Sequence, residues 1–162
     1  MTLPFGSVIQ DSNFGHLFLH PWFWSSFLAW MMAQMIKLVR SAFKTHRVDF
    51  EYLVSTGGMP SAHSAMVMGL ATSIGITEGF GTPVAMLAVG FAAITMFDAA
   101  VVRRASGEQA KVLNKMVREI VEFHKFNAVH LKELVGHSRK EVFAGLITGI
   151  LVALAVCWLW PR

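Results

Sequence analysis

The chain has 162 residues, 54% of them hydrophobic and only 15% charged, with a formal net charge of +4 at pH 7. That balance excludes an ordinary water-soluble domain, and basic residues set beside apolar runs report membrane orientation rather than nucleic-acid binding. The single cysteine, Cys157, lies inside an apolar run, which excludes a disulfide framework and a cysteine-based metal site. No Pro/Ser-rich linker, low-complexity tract or internal repeat divides the chain, so one domain over residues 1–162 is expected, and no signal or transit peptide is legible.

Met1 to His20 mixes Pro4, Gly6, Asp11, Asn13 and Gly15 with scattered apolar side chains, and reads as an interfacial lead-in too broken to cross a membrane. His16 and His20 stand one helical turn apart, and a wet histidine pair beside Pro21 explains them better than a metal site. Pro21 to Ile36 carries Trp22, Trp24 and Trp30 and reads as a first membrane helix with an aromatic belt at its start; a basic cluster from Lys37 to Arg47 follows. The second apolar run, about Ser61 to Ile76, is rich in Ala, Gly and Ser, which suits close helix packing. The third, about Pro83 to Val102, is long enough to cross and contains one carboxylate, Asp98.

Residues 108–131 place Leu113, Met116, Val117, Ile120 and Val121 at helical spacing between charged residues. This is an amphipathic helix, lying on the membrane surface or packing its stripe on the protein's own loops. The fourth apolar run, about Val142 to Trp160, contains Gly145 and Gly149, a small face for helix contact. The expected fold is all-α: an integral membrane helical bundle of about four transmembrane helices with one interfacial amphipathic helix.

Nearly all Lys and Arg fall in two segments, Lys37 to Arg47 and Arg103 to Lys140. With four crossings the two segments share a side, which the positive-inside rule makes cytoplasmic, in a bacterial inner membrane, with both termini outside. Lys37, the loop before the second helix, Asp98 and the stretch before the fourth helix then meet at one membrane face.

Gly57-Gly58-Met59-Pro60-Ser61-Ala62-His63-Ser64-Ala65 reads as a loop feeding a helix N-terminus. Such a junction offers backbone N–H groups and the positive end of a helix dipole to an anion, phosphate above all. A glycine turn with a packed histidine would use the same residues. Asp98 in an apolar helix costs about 2.5–3.5 kcal/mol at the helix centre and is functional by default, unless it reaches the interface and pairs with Arg103 or Arg104. His137 and Glu141 are four apart, so on one helix they would share a face and the carboxylate would fix the imidazole tautomer, making a usable nucleophile. The alternative is a helix cap, with Glu141 favouring the N-terminus.

The Gly57–Ala65 stretch, Asp98-Ala99 with Arg103-Arg104 and Gly107, Gln109-Ala110, Leu113-Asn114, Leu131-Lys132-Glu133 with Gly136-His137, and Ala33-Gln34 with Lys37 occur together. As a set they resemble the divergent type-2 phosphatidic acid phosphatase family, also called acid phosphatase/vanadium-dependent haloperoxidase-related, over about Ala33 to Gly149. The wider superfamily uses a lysine followed by an arginine, a Pro-Ser-Gly-His, and a Ser-Arg followed by a histidine with a carboxylate four residues on. The resemblance implies a metal-independent membrane hydrolase without a cofactor, cleaving a lipid phosphomonoester or diphosphate through a phosphohistidine on the cytoplasmic face.

On that resemblance Lys37, Gly58, Ser61 and Ala62 would bind the phosphate. His63 would protonate the leaving alcohol, and His137, oriented by Glu141 with Asp98 at the same face, would attack phosphorus. The chain departs from the pattern: no Arg-Pro follows Lys37 at the usual spacing, Ala62 replaces glycine, and the Ser-Arg is absent. Arg103, Arg104 and Lys132 are the candidates to supply that charge. The implied partners are a lipid phosphate and the bilayer, and a homodimer would enlarge a pocket that four spans leave small. Two other readings stand beside the hydrolase: a non-catalytic membrane module binding anionic lipid or a protein partner through the basic face of the amphipathic helix, with Lys111, Lys115 and Arg118, and a metal site of His63, His137, Glu141 and Asp98.

Overall fold

The structure, a computed structural model, describes residues 14–45, 58–124 and 137–161. Among the described residues every regular element is helical: a 3-10 turn Phe14–Leu19, α1 Pro21–Thr45, α2 Ala62–Glu78, α3 Pro83–Phe97, a π-helical turn Asp98–Val102, α4 Arg103–His124 and α5 Arg139–Leu159. Local chemistry sets the boundaries. Ser61 caps α2 by accepting the Ser64 N–H, and Gly79, at φ 95°, ends it by donating its N–H to the Gly75 carbonyl. Thr82 caps α3, with Pro83 at its first position.

α2 is the central helix, packed on α1, α3 and α5, and α1 and α5 also touch each other. Glycines set how close the helices come. A Cβ added at Gly69 would lie 2.6 Å from the Ser25 carbonyl oxygen, one at Gly145 would lie 2.9 Å from Ser64 Cβ, and one at Gly149 would lie 2.9 Å from the Gly69 nitrogen. Gly145 and Gly149 therefore press α5 backbone onto α2 backbone, the contact their four-residue spacing predicts. Around these points Ala29, Ala33, Ala62 and Ala65 form one buried layer, and Val67, Ala71 and Ala92 another. At the far end Trp22 Nε1 donates to Thr77 Oγ1 at 2.6 Å, tying α1 to α2.

The outer surface is apolar: Leu87, Ile94 and Phe97 of α3 and Phe143, Leu151 and Trp158 of α5 are all exposed. The helices Pro83–Arg118 and Arg139–Leu159 are long and apolar enough to cross a membrane. Such a surface is stable against lipid rather than water. The all-α membrane bundle expected from the sequence is the architecture found.

Two features differ from expectation. α1 continues past Ile36 to Thr45, so the start of the basic cluster is helical. The amphipathic segment begins at Arg103, and the π-turn joins it to α3 without a loop. α4 buries Gly107, Ala110 and Asn114 and leaves Leu113, Met116 and Ile120 exposed. Small residues allow the closer approach, so the protein-facing side is the small face and not the apolar stripe. The lead-in Met1–Asn13, residues 46–57 and the expected helix end at 125–131 lie outside the described residues.

Candidate active site at one end of the bundle

The start of α5 is built by a capping box. Ser138 Oγ accepts the Glu141 N–H at 3.4 Å, and Glu141 Oε2 accepts the Ser138 N–H at 2.8 Å. The same Oε2 lies 3.2 Å from His137 Nδ1, and His137 is only 2% exposed. Of the two arrangements open from the sequence, one shared helix face or a helix cap, a cap is found, with Ser138 as the capping residue: His137 precedes it, and the capping box brings Glu141 onto the imidazole. The main-chain N–H of His137 donates to the Ala99 carbonyl at 3.1 Å, which ties α5 to the π-turn.

Lys37 reaches this region from α1. It is 4% exposed, and the carboxylate that acts on its charge is Glu141. Gly58, at φ 89°, lies along its aliphatic stem: a Cβ there would sit 3.9 Å from Lys37 Cδ. A left-handed backbone at this position suits glycine. Lys37, Gly58, Glu141 and His137 thus form one neighbourhood, in which a charge with little water around it acts strongly.

The loop into α2 locks onto α5. Ser61 N–H donates to the Glu141 carbonyl at 2.9 Å, while Ser61 Oγ accepts from the Ser64 hydroxyl at 3.0 Å and from the Ser64 N–H. Ser61 is fully buried, and Ala62 sits in the alanine layer between α1 and α2. Two residues expected to cradle phosphate therefore pin helices together, and Gly58 and Met59 are the exposed part of the described loop. The Met59–Pro60 peptide is cis.

His63 opens α2 and is half-buried. Ser61, Ser64, Ala65 and Met68 line the side of α2 toward α5. At about 100° per residue, His63 lies roughly 150° around the helix from that strip. His63 is thus turned away from the side of α2 that meets α5. Asp98 is the first residue of the π-turn, next to Ala99, and is half-buried; Arg103 opens α4, and Arg104 is exposed. Lys132 lies outside the described residues. Among the described residues no three His, Cys, Asp or Glu side chains come together as a metal site, so neither His63 nor Asp98 joins the His137–Glu141 pair at ligand distance.

Three contributors were given no site role from the sequence, although Gln34 and Ala99 stand among the residues that carry the family resemblance. Ser138 was legible as Ser-x-x-Glu ahead of an apolar run, the capping-box signature. Gln34 is buried one turn before Lys37 on the same face of α1, which a helical wheel would have placed beside the lysine. The Ala99 carbonyl had no signal, because a π-turn has no sequence signature.

The profile of the Divergent PAP2 family matches residues 18–152, a span that contains every candidate site residue from Lys37 to Glu141. The chain belongs to this family. It is also 40% identical over 145 residues to the uncharacterized membrane protein YuiD of Bacillus subtilis (strain 168), covering 83% of this chain and 92% of that protein. No solved structure gives a significant match. Family membership and the apolar helices together make this a phosphatase-related membrane protein by kinship.

Proposed function

We propose that this protein is a lipid phosphate phosphatase that works through a phosphohistidine at His137. The observation that carries the reading is the His137–Glu141 pair, with the imidazole buried and the Lys37 charge felt by Glu141. Glu141 engages Nδ1, so Nε2 attacks phosphorus and the bond from phosphorus to the lipid oxygen breaks. His63 donates a proton to that leaving oxygen. Water then attacks the phosphohistidine, His63 takes a proton from it, the P–N bond breaks, and inorganic phosphate leaves. In-line displacement needs the nucleophile and the leaving group on opposite sides of phosphorus, so this proposal requires the phosphate to lie between His137 Nε2 and His63. Lys37 offsets the phosphate charge, with Arg104 and the Arg103 and Lys132 positions as further cations.

Depth supports a lipid substrate. Trp22 pairs with Thr77 at one end of the bundle, and Lys37 and Ser61 lie some sixteen residues away along α1 and α2, about 24 Å at 1.5 Å per residue. Against a hydrocarbon core of about 30 Å, that separation supports a site near headgroup level on one face. The positive-inside rule makes that face cytoplasmic. A phosphate at that depth belongs to an amphiphile: a phosphomonoester or diphosphate of a diacylglycerol or polyprenyl type. The test is a lipid-phosphate panel on reconstituted wild type and His137→Ala side by side. Wild type releases phosphate from at least one member, vanadate blocks the release and a chelator does not; equal release by the variant would sink the reading.

A further inference from the structure

We infer that the π-turn Asp98–Val102 is the positioning element for His137, holding it through the carbonyl of Ala99. An α-helix closes each turn between residues four apart; a π-turn takes one residue more, and single π-turns inside α-helices gather at functional sites. The wider turn changes where a carbonyl can bond, since each buried backbone acceptor needs a partner. Here the Ala99 carbonyl accepts the His137 N–H at 3.1 Å, with Ala99 and His137 each 2% exposed. The contact is the seam between the α3–α4 rod and α5: the π-turn packs on α5, while α3 packs on α2.

His137 precedes its helix, so α5 does not fix its backbone. Glu141 holds Nδ1 from the α5 side, and Ala99 holds the main-chain N–H from the α3–α4 side. The first sets the tautomer and the second sets where the ring stands. The consequence for turnover rests on the phosphatase reading, whereas the consequence for the His137 backbone does not. Deleting Ala100 removes the additional residue that the wider turn absorbs and returns the segment to α-helical register, so the Ala99 carbonyl closes an α-turn and α4 keeps nearly the phase it had.

The test uses two variants of the full chain in lipid nanodiscs: Ala100 deleted, which removes the π-turn and leaves α4 nearly in phase, and Ala105 deleted, which keeps the π-turn and turns the rest of α4 by about 100°. Two quantities are read, hydrogen exchange at the His137 amide and steady-state kinetics on the lipid phosphate that wild type cleaves best. In the Ala105 deletion the His137 amide keeps its wild-type rate; in the Ala100 deletion it exchanges at least about tenfold faster, while the Ser64 amide, capped by Ser61 within α2, is unchanged in both. Turnover of the Ala100 deletion falls about a hundredfold in kcat with KM nearly unchanged, the size expected when a reacting group moves by about an ångström. Wild-type exchange at His137 in the folded Ala100 deletion overturns the inference, as does exchange accelerated equally in the Ala105 deletion. A wild type inert toward every lipid phosphate overturns the phosphatase reading alone, and the exchange result still decides the role of the turn.

Discussion

Glu141 serves three neighbours at once: the Ser138 N–H, His137 Nδ1 and, through its charge, Lys37. Those roles separate by substitution. Glu141→Gln keeps a capping-box acceptor and loses the charge, so its thermal stability stays near wild type while kcat falls by about 10²–10⁴. Glu141→Ala also loses the box and costs about 1 kcal/mol more in unfolding free energy. Lys37→Met removes a buried cation and keeps the aliphatic stem that Gly58 lies along. Unfolding midpoints should hold or rise, since a well-packed apolar replacement for a buried charge is commonly neutral or better. Vanadate should inhibit at least about tenfold more weakly wherever residual turnover can be measured. The His137–Glu141 separation was readable in the sequence, and so, through Ser138-x-x-Glu141, was the cap that brings the carboxylate to the ring. The orientation of His63 was hidden, because it depends on which side of α2 meets α5.

Glycines at element scale divide into those that carry backbone contact and those that do not. At Gly145 and Gly149 a methyl group would meet α2 backbone, so Gly149→Ala costs about 1–3 kcal/mol by overpacking, read as a lowered unfolding midpoint in detergent. Gly90, inside α3, has nothing within 4 Å of an added Cβ. Gly90→Ala therefore gains about 0.5–1 kcal/mol from helix propensity in the same assay. Equal effects at the two positions would refute the packing account. The four apolar runs were legible because their composition and length impose helices, and Gly145-x-x-x-Gly149 announced its contact. The join between α3 and α4 was not legible: Arg103 and Arg104 mark a change from lipid to polar surroundings, which looks the same in sequence whether the chain turns or continues as helix.

For the whole molecule, the distribution of Lys and Arg and the convergence of α1, α2, the π-turn and α5 describe one polarised bundle. Its site lies at the basic end and its aromatic belt, with Trp22 bonded to Thr77, at the other. Reporter fusions after Arg162 test the orientation: alkaline phosphatase should be active there and a fluorescent protein dark, and the reverse pattern would invert the proposed topology. The chemistry is tested most directly by trapping the intermediate. Protein quenched within a single turnover of a lipid carrying labelled phosphate should hold the label in a base-stable, acid-labile linkage on the peptide containing His137, with none in His137→Ala. Turnover with no phosphoenzyme, or the same label in the variant, would contradict the account.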